Sequence, residues 1–389
     1  MKKNSLVIFL HQNVWDQNSL EALEVEKFLK NSNVVAYELG HFINKNIVSV
    51  FKNKLHKKYI KKIRSYSEWK THFVKLIKNY ESSKILIINK VRPTNIWSFL
   101  VLLELSNLKI NIVETKNSGV PNFVIKKRYF ERIKDLKNIL YLLSTVQGKF
   151  FNFLFKFIKF YNYSYLISGR PNEQFKNRKF IHGSSWDMAK TFNKNKKLNI
   201  KNKFAVYIES TVAHTGDGVI LGPNSPVVDK KKWFRSLNQF FYNFEKKYNL
   251  KVIIAAHPKI GHSKFSKYYK HRKVIKNKTK ELIFNSKFVF FERSSAINFI
   301  IKYNKPAAMI YNNDSISTPY NKKTHIGFSN LTGIRNIDFE KYLESDLEDL
   351  FVVDRSKYLK YYKEFINYKN LKIPNYQILR NKFLKKLYD

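Results

Sequence analysis

Residues 5–39, SLVIFLHQNVWDQNSLEALEVEKFLKNSNVVAYEL, contain the pattern that decides the fold. A short apolar run, SLVIFL at 5–10, is followed by the amphipathic segment SLEALEVEKFLKNS at 19–32 and by a second apolar run, VVAYEL at 34–39. Short apolar runs indicate buried strands, and apolar residues at helical spacing indicate an amphipathic helix. Strand, helix and strand in this order predict a parallel sheet covered by helices.

The same alternation continues through the rest of the chain. In the first half it includes KILIINK (84–90), TNIWSFLVLLELSN (94–107) and KINIVET (109–115). After YSYLISG (163–169) and RKFIHGSSWD (178–187) it includes KFAVYIES (203–210), DKKKWFRSLNQFFYNFEKKY (229–248), KVIIAAHP (251–258) and KFVFFERSSAINFIIKYNKPAAMIYN (287–312). The second series predicts a second doubly wound domain.

The length of 389 residues also favours two domains. We predict an N-terminal Rossmann-like domain over residues 1–165, a C-terminal Rossmann-like domain over residues 166–337 and C-terminal helices over residues 338–389. Two such domains facing a central cleft, followed by a helical tail, make a GT-B-like α/β architecture. Because other two-domain α/β proteins share this pattern, the fold alone assigns no function.

The chain is strongly basic. It has 73 Lys and Arg residues against 29 Asp and Glu residues, which gives a net charge of +44 at pH 7. Such a surface attracts polyanions such as nucleic acid, anionic lipid or phosphorylated substrates. The alternative is that the many Lys and Asn residues reflect AT-rich codons, and both interpretations stay open. The absence of cysteine from the sequence excludes disulfides and Cys-ligated zinc or iron–sulfur sites.

Two segments bear on targeting and membranes. LVIFL, residues 6–10, lacks the full apolar region and cleavage site of a signal peptide and is interpreted as a buried strand. No stretch reaches the ~18 uninterrupted apolar residues of a membrane span, so we expect a cytoplasmic protein, peripheral on the inner face of the cell membrane. GKFFNFLFKFIKFYNYSYL, residues 148–166, is either an interfacial membrane helix or a core helix that links the domains, and we favour the core helix.

Polar residues follow three predicted strands of the second half. These strand ends are KFAVYIES leading into AHTGDG (213–218), KVIIAA leading into His257-Pro258, and KFVFF ending in Glu292-Arg293 before Ser294-Ser295. Ligands of open α/β sheets bind beyond the carboxyl ends of the strands. We therefore expect all three strand ends to open on the same edge of one sheet.

Each motif has a chemical interpretation. Pro258 fixes the exit of its strand, which holds His257 in a defined place. A helix that begins at Ser294 and Ser295 would offer hydroxyls, free N–H groups and its dipole to an anion. Asp217, between two glycines, can approach a substrate hydroxyl and act as a general base. Taken singly, HP is a chance dipeptide, SS is a helix cap and GDG is a turn, but their combination in this order favours a site.

The three motifs in this order resemble those of bacterial sialyltransferases, polysialyltransferases and related nonulosonic-acid or Kdo transferases. These enzymes share an acidic pair followed by Gly, then His-Pro, then a Ser/Thr-rich motif. The matching positions here are Asp217-Gly218, His257-Pro258 and Ser294-Ser295, and the resemblance covers roughly residues 200–312. One position departs from the pattern, since Gly216 stands where the family has the first acid of the pair.

The resemblance implies an inverting, metal-independent glycosyltransferase that uses a CMP-activated 2-keto sugar acid and requires no cofactor. It implies that Asp217 is the general base, that His257 assists the departing phosphate, and that Ser294 and Ser295 bind that phosphate, with Pro258 and Gly218 also at the donor. Because Gly216 departs from the motif, Glu209 and Asp187 are reserve candidates for the base. Further candidates near the site are His214, Lys259 and Arg293.

The expected partners are a CMP-sugar donor and a glycan or lipid-linked oligosaccharide acceptor, such as a lipopolysaccharide or capsule precursor. We also expect an anionic membrane surface as a partner and no specific nucleic acid. Two alternatives remain. The isoelectric point near 10.0 and the abundance of Tyr and Phe are also typical of a nucleic-acid-binding protein without transfer activity. The other alternative is a non-catalytic carbohydrate protein at the membrane surface.

Overall fold

The computed structural model of the chain describes residues 4–44, 55, 57–115, 120–121, 123, 139–157, 164–170, 179–192, 198–200, 202–210, 212–213, 226, 228–257 and 266–384. The chain divides into two compact units, each with its own sheet. The first unit comprises residues 1–118, 135–193 and 367–389, and the second comprises residues 119–134 and 194–366.

The sheet of the first unit has seven parallel strands in the order β3-β2-β1-β4-β5-β6-β7. The strands are β1 Leu6–His11, β2 Asn33–Glu38, β3 Ile60–Lys62, β4 Ile85–Asn89, β5 Asn111–Thr115, β6 Ser164–Ser168 and β7 Lys179–His182. The central strand β1 pairs with β2 on one side and with β4 on the other. The direction of winding therefore reverses between β1 and β4, which is where ligands of such sheets bind.

The sheet of the second unit has six parallel strands in the order β10-β9-β8-β11-β12-β13. The strands are β8 Phe204–Ile208, β9 Lys251–Ala256, β10 Val274–Lys276, β11 Phe288–Phe291, β12 Ala307–Tyr311 and β13 Arg335–Asp338. Here β8 is central, between β9 and β11.

Helices connect these strands. In chain order they are α1 Gln17–Ala22, α2 Val25–Phe28, α3 Gly40–Ile43, α4 Tyr66–Ile77, α5 Ile96–Ser106, α6 Ile139–Phe155, α7 Trp186–Thr191, α8 Lys230–Tyr248, α9 Thr279–Asn285, α10 Ile297–Lys302, α11 Pro319–Thr332, α12 Arg355–Tyr361 and α13 Asn375–Phe383. Short 3₁₀ helices lie at Ser82–Lys84, Ser266–Tyr269 and Glu344–Leu347, and a π-helix lies at Tyr362–Ile366.

Both faces of the first sheet are buried, as expected for a parallel sheet wound by helices. On β1, Leu6, Ile8 and Leu10 belong to one hydrophobic cluster, whereas Val7 and Phe9 belong to the cluster on the opposite face. Successive side chains of a strand point to opposite faces. The continuous apolar run in the sequence therefore reflects two cores that share one strand.

Helix α8, the longest in the described part of the chain, shows how sequence pattern and packing agree. The Asp229 side chain accepts the backbone N–H groups of Lys231 and Lys232 at 2.9 and 3.2 Å, which begins the helix. Its apolar residues recur at helical spacing and are buried against the second sheet; they are Trp233, Phe234, Leu237, Phe240, Phe241 and Phe244.

The segment 19–32, predicted as one helix, is divided into α1 and α2. Glu24 interrupts it with a left-handed backbone (φ 54°). The Glu24 side chain is buried, and it accepts Lys27 Nζ at 2.6 Å and the backbone N–H of Tyr376 at 2.8 Å. This carboxylate therefore binds the first turn of α13, a partner far away in sequence that the local pattern does not contain.

The predicted domain limits differ from the sheets at two places. The expected boundary at residue 165 falls inside β6, and both β6 and β7 extend the first sheet beyond β5. The predicted tail 338–389 is divided between the units at residue 366. The reason is hydrophobic burial, because Leu379 and Phe383 of α13 lie in a core cluster of the first unit.

The aromatic segment 148–166 is also divided, between α6 and β6. The part in α6 is not a core helix, because Phe151 is buried but Phe150 and Phe153 are exposed. Among the described residues, none of the helices is long and apolar enough to cross a membrane.

Candidate functional site

Three polar strand ends meet at one edge of the second sheet. Glu209 directly follows β8, His257 directly follows β9 and Glu292 directly follows β11. Because β8 pairs with both neighbours in parallel, the carboxyl ends of the three strands lie side by side. The prediction that these strands open on a common edge is therefore confirmed.

Glu209 is buried, and both of its carboxylate oxygens are hydrogen-bonded. Oε2 accepts the backbone N–H of His257 at 2.9 Å, and Oε1 accepts the hydroxyl of Tyr269 at 2.7 Å. The backbone N–H of Glu209 donates to the carbonyl of Ala255 at 3.1 Å. Hydrogen bonds to an ionised acceptor are stronger than neutral ones. Glu209 thus holds the residue at which the chain leaves β9.

A second buried carboxyl group, that of Glu292, lies at the neighbouring strand end. Its Oε1 accepts the hydroxyl of Tyr207 at 2.6 Å. Burial raises the pKa of Glu292 to about 7, and the charge of Glu209 acts in the same direction. Hydrogen bonds from Tyr207 and Ser210 and the charge of Arg293 oppose this shift of the pKa. Glu292 therefore exchanges its proton near neutral pH.

Tyr207 and Tyr269 complete what we call the strand-end cluster, which comprises Tyr207, Glu209, Tyr269 and Glu292. The two tyrosine rings are buried, with centroids 6.3 Å apart. Burial and the adjacent carboxylates raise the pKa of both hydroxyls well above the usual range. Both tyrosines therefore remain protonated and act as hydrogen-bond donors.

The strand-end cluster is built to position the strand ends. Glu209 is 4% exposed and Glu292 is 2% exposed. Both carboxylate oxygens of Glu209 are already bound by donors within the protein. Glu209, a reserve candidate for the base, is therefore better placed to hold His257 than to contact a substrate hydroxyl.

The Ser294–Ser295 pair lies on the same edge but does not begin a helix. Helix α10 begins at Ile297, with Ala296 as its N-cap, and it has six residues. The Ser294 hydroxyl accepts the backbone N–H of Ala296 at 3.2 Å, which closes a local turn, and Ser295 is exposed. The expected anion site at a helix N-terminus is therefore replaced by a serine turn with one exposed hydroxyl.

Arg293 lies between Glu292 and this turn. Its guanidinium carbon is 5.7 Å from the ring centroid of Tyr320 at the start of α11, a cation–π distance. Burial lowers the pKa of His325, also on α11, to about 4, and the charge of Arg293 contributes to that shift. The edge near Ser294 thus carries a positive charge beside a neutral histidine.

Among the remaining predicted residues, Asp187 is described by the structure and the others are not. Asp187 belongs to the first unit, in the first turn of α7, where the Ser185 hydroxyl caps the helix through the N–H of Met188. Asp217, Gly218, His214, Pro258 and Lys259 lie outside the described residues, so their roles stay predictions.

The first sheet has a polar edge of its own, which was not predicted from the sequence. His11 ends β1, Glu38 ends β2 and Lys90 directly follows β4; we call these three residues the switch-point cluster. The N–H of Lys90 donates to the carbonyl of Leu10 at 2.9 Å. The sequence did contain an indication of this edge, because His11 directly follows the apolar run LVIFL and Lys90 directly follows ILIIN.

Burial controls the protonation of Lys90 and His11. It lowers the pKa of Lys90 well below the usual range, and the charge of Arg92 adds to the effect. It also lowers the pKa of His11 to about 4, with a smaller contribution from Lys90. The His11 ring stacks on Trp15 at 4.6 Å between centroids. Neutral His11 is therefore the dominant form at neutral pH.

Glu38 organises the other side of the switch-point cluster. Its Oε2 accepts the backbone N–H of Trp15 at 2.8 Å, and its Oε1 lies 3.0 Å from Nε2 of His41. Within the part of the chain that the structure describes, no group of three or more His, Asp or Glu residues is arranged to hold a metal ion.

Comparisons with known proteins define the class of fold. No protein-family model and no curated protein matches the chain. The wall teichoic acid polymerase TagF is similar in structure, with a TM-score of 0.54 and 12% identity over 100% of this chain and 90% of that one. A UDP-N-acetylglucosamine 2-epimerase has a TM-score of 0.51 and 9% identity over 100% of this chain and 98% of that one.

These likenesses establish architecture. Two α/β units with parallel sheets of seven and six strands, similar to these structures, give the chain a GT-B fold. At identities of 12% and 9% they extend no further than the fold.

Proposed function

We propose that this protein is an inverting glycosyltransferase. It moves a nonulosonic acid of the sialic, pseudaminic, legionaminic or Kdo type from its CMP conjugate to a surface-glycan acceptor, such as a lipopolysaccharide or capsule precursor. The observation that carries the proposal is the hydrogen bond from His257 N–H to Glu209 at the carboxyl edge of the second sheet. It holds the histidine of the His-Pro motif on the edge that also bears Ser294.

In the proposed reaction, an acceptor hydroxyl attacks the anomeric C2 of the donor. Its proton passes to Asp217 as the new C–O bond forms. The bond from C2 to the phosphate oxygen breaks, and its electron pair leaves with CMP. The developing negative charge on that phosphate is stabilised by His257, by the exposed Ser295 hydroxyl and by the positive charge of Arg293. Attack opposite the leaving group inverts the anomeric centre.

The proposal includes no metal or cofactor. A CMP leaving group is a phosphate monoester, whose charge the proposed donors can stabilise. The sequence has no Asp-x-Asp motif of the kind that binds a metal with a nucleoside diphosphate. Turnover that requires added divalent cation after EDTA treatment would contradict this part of the proposal.

The first unit would supply the acceptor side. Ligands of doubly wound sheets bind at the switch point, and His11 and Lys90 of the switch-point cluster lie at that position, at the ends of β1 and β4. Arg92, beside Lys90, gives this edge a positive charge that suits the acidic groups of a bacterial surface glycan.

The test measures CMP release by the purified full chain from CMP-linked sialic, legionaminic, pseudaminic and Kdo sugars with a glycan acceptor. We expect turnover with at least one donor and a loss of about 10²–10⁴-fold in kcat for Asp217→Asn. His257→Ala should also lose activity, whereas His271→Ala, an exposed histidine in the same unit, serves as the matched control.

Three outcomes would contradict the proposal. The first is no CMP release from any of the four donors, and the second is full activity of His257→Ala. The third is loss of activity in Asp187→Asn with full activity in Asp217→Asn, which would assign the role of general base to Asp187. The GT-B fold does not favour the nucleic-acid-binding alternative, which predicts polynucleotide binding with a steep salt dependence and no transfer.

A further inference from the structure

We propose that the outer side of α6, with the start of α5, docks on an anionic lipid bilayer. We call this surface the aromatic face, and it comprises Ile96, Trp97, Val146, Phe150, Phe153 and Phe157. Docking goes beyond the proposed transfer reaction and does not depend on it.

The exposed apolar residues of α6 and of the turn that follows it form a single stripe. Val146, Phe150 and Phe153 follow one another at intervals of four and three residues, which places them on the same side of the helix. Phe157 lies two residues beyond the end of α6, and its ring centroid is 5.1 Å from that of Phe153. The side chains of these four residues are 54–69% exposed. Large aromatic side chains dominate burial at interfaces, so a row of exposed phenylalanines marks a contact surface.

The opposite side of α6 attaches the helix to the first unit. The ring of the buried Phe151 is 5.5 Å from that of Phe99 on α5. Asn152 Nδ2 donates to the carbonyl of Pro93 at 3.1 Å, in the loop that precedes α5. The stripe is therefore held outward by packing on its inner side.

The same packing brings α6 next to the start of α5. A Cβ added to Gly148 would lie 3.7 Å from the carbonyl oxygen of Thr94, two residues before Ile96. Ile96 and Trp97 are 42% and 45% exposed. The stripe and the start of α5 thus form adjacent parts of one apolar surface, and tryptophan favours the interface between lipid and water.

The charges around the aromatic face indicate that its partner is anionic. Lys149 and Lys156 are exposed and lie together on one flank of the stripe. The sequence from residue 136 to residue 172 contains no Asp or Glu. Exposed aromatic residues beside lysines are typical of helices that lie in an anionic membrane surface, where phenylalanine enters the acyl region and lysine reaches the phosphates.

A second copy of the chain is a less suitable partner for the aromatic face. Each copy has a net charge of +44, so two identical basic surfaces repel one another, whereas an anionic bilayer attracts both. The proposal therefore commits to lipid, and self-association is an outcome that the test can detect.

The test is flotation of the full chain with vesicles. One set contains phosphatidylglycerol and phosphatidylethanolamine, and the other contains phosphatidylcholine alone. We expect binding to the anionic vesicles that weakens with added salt, and at least tenfold weaker partitioning to the neutral vesicles. Neither nucleotide nor acceptor is added, so the result is independent of CMP release.

Two variants and a control assign the binding to the aromatic face. Phe150→Ser with Phe153→Ser should lower partitioning to anionic vesicles at least tenfold. Lys149→Gln with Lys156→Gln should also lower it and reduce its dependence on salt. Leu343→Ser with Val352→Ser removes apolar side chains of the second unit that are even more exposed, and this variant should bind as the unchanged protein does.

Two results would overturn the proposal. One is equal vesicle binding by the double phenylalanine variant and the unchanged protein, with both folded by circular dichroism. The other is a dimer of the unchanged protein in light scattering that the double phenylalanine variant loses, since the face would then be covered by a second copy. CMP release with a soluble acceptor should be the same in all of these variants.

Discussion

The carboxylate of Glu209 accepts the backbone N–H of His257 across 2.9 Å and so links the ends of two adjacent parallel strands. The neighbouring carboxyl group of Glu292, on the other side of β8, binds Tyr207 and has a pKa of about 7. Two glutamates in equivalent strand-end positions therefore differ in role. Glu209 fixes backbone geometry, whereas Glu292 can change its charge near neutral pH.

Replacement of Glu209 tests the positioning of His257. Glu209→Ala leaves the Tyr269 hydroxyl and the His257 N–H without this acceptor, which should lower the free energy of unfolding by about 1–3 kcal/mol. We expect kcat for CMP release to fall more than KM rises, because the histidine is displaced. Glu209→Gln, which keeps one acceptor oxygen, should recover part of kcat. The exposed Glu344→Gln is the control, and equal loss of kcat in the Ala and Gln variants would argue against positioning.

The raised pKa of Glu292 predicts a pH-dependent stability. The folded state binds this proton more tightly than the unfolded state, whose pKa is near 4.5. The stabilisation is fully present below pH 4.5 and is lost as the pH rises through about 7, a change of up to about 3 kcal/mol. Urea denaturation at pH 5 and pH 8 measures it. Glu292→Gln cannot ionise, so its stability should fall less between these two values; parallel changes in both proteins would contradict the prediction.

Buried His11 predicts the opposite dependence on pH. Its pKa is lowered to about 4, so the unfolded state binds the proton more tightly. The contribution of neutral His11 to stability is fully present above about pH 6.5 and is lost as the pH falls to about 4, again by up to about 3 kcal/mol. His11→Gln should be less sensitive to acid over this range. The exposed His271→Gln should retain the acid sensitivity of the unchanged protein.

Arg272 and Glu245 form a buried ion pair that joins α8 to the β9–β10 connection. Arg272 Nη2 lies 2.7 Å from Glu245 Oε2, and the side chains are 2% and 7% exposed. Arg272→Met leaves a buried carboxylate without its partner and should destabilise the fold by about 3–5 kcal/mol. Lys84→Met removes a surface pair with Glu81 and should change stability by less than about 0.5 kcal/mol. Thermal denaturation compares the two, and similar shifts would contradict the expectation.

Replacement by alanine should change the stability of the fold in opposite directions at two glycines. Gly333 follows α11 with φ of +72°, and an added Cβ would meet the Asp354 Cβ at 3.0 Å. Gly333→Ala should therefore destabilise by about 1–2 kcal/mol. Gly148 lies inside α6, where the nearest atom to an added Cβ is 3.7 Å away, so Gly148→Ala should stabilise by about 0.5–1 kcal/mol. Denaturation midpoints that move in the same direction would contradict this assignment.

Much of the architecture could be predicted because its signals are local. Apolar runs such as LVIFL and FVFF mark strands, and the 3.6-residue pattern of α8 marks a helix, whatever lies elsewhere in the chain. The polar residue after each run predicts the functional edge, since parallel strands share their carboxyl end. That reasoning located Glu209, His257 and Ser294 on one edge of the second sheet.

The errors concern partners that are distant in sequence. The runs that become β6 and β7 look the same whether they begin a second sheet or extend the first, so the boundary at 165 was misplaced. Helix α13 belongs to the first unit because Leu379 and Phe383 are buried in a core of that unit, which the local sequence does not indicate. A pair of serines often caps a helix, but here the Ser294 hydroxyl accepts a hydrogen bond within a local turn. Helix α10 therefore begins only at Ile297.

The sequence by itself determined the two series of strands and helices, the excess of positive charge and the polar residues at the strand ends. Tertiary structure alone decided that Glu209 holds His257, that Glu292 titrates near pH 7 and that Phe150 and Phe153 point outward. The physical reason is that hydrogen bonding, desolvation and exposure depend on the atoms surrounding a side chain. Those atoms come from segments far apart in the chain, as Tyr269 does for Glu209 and as Tyr207 does for Glu292.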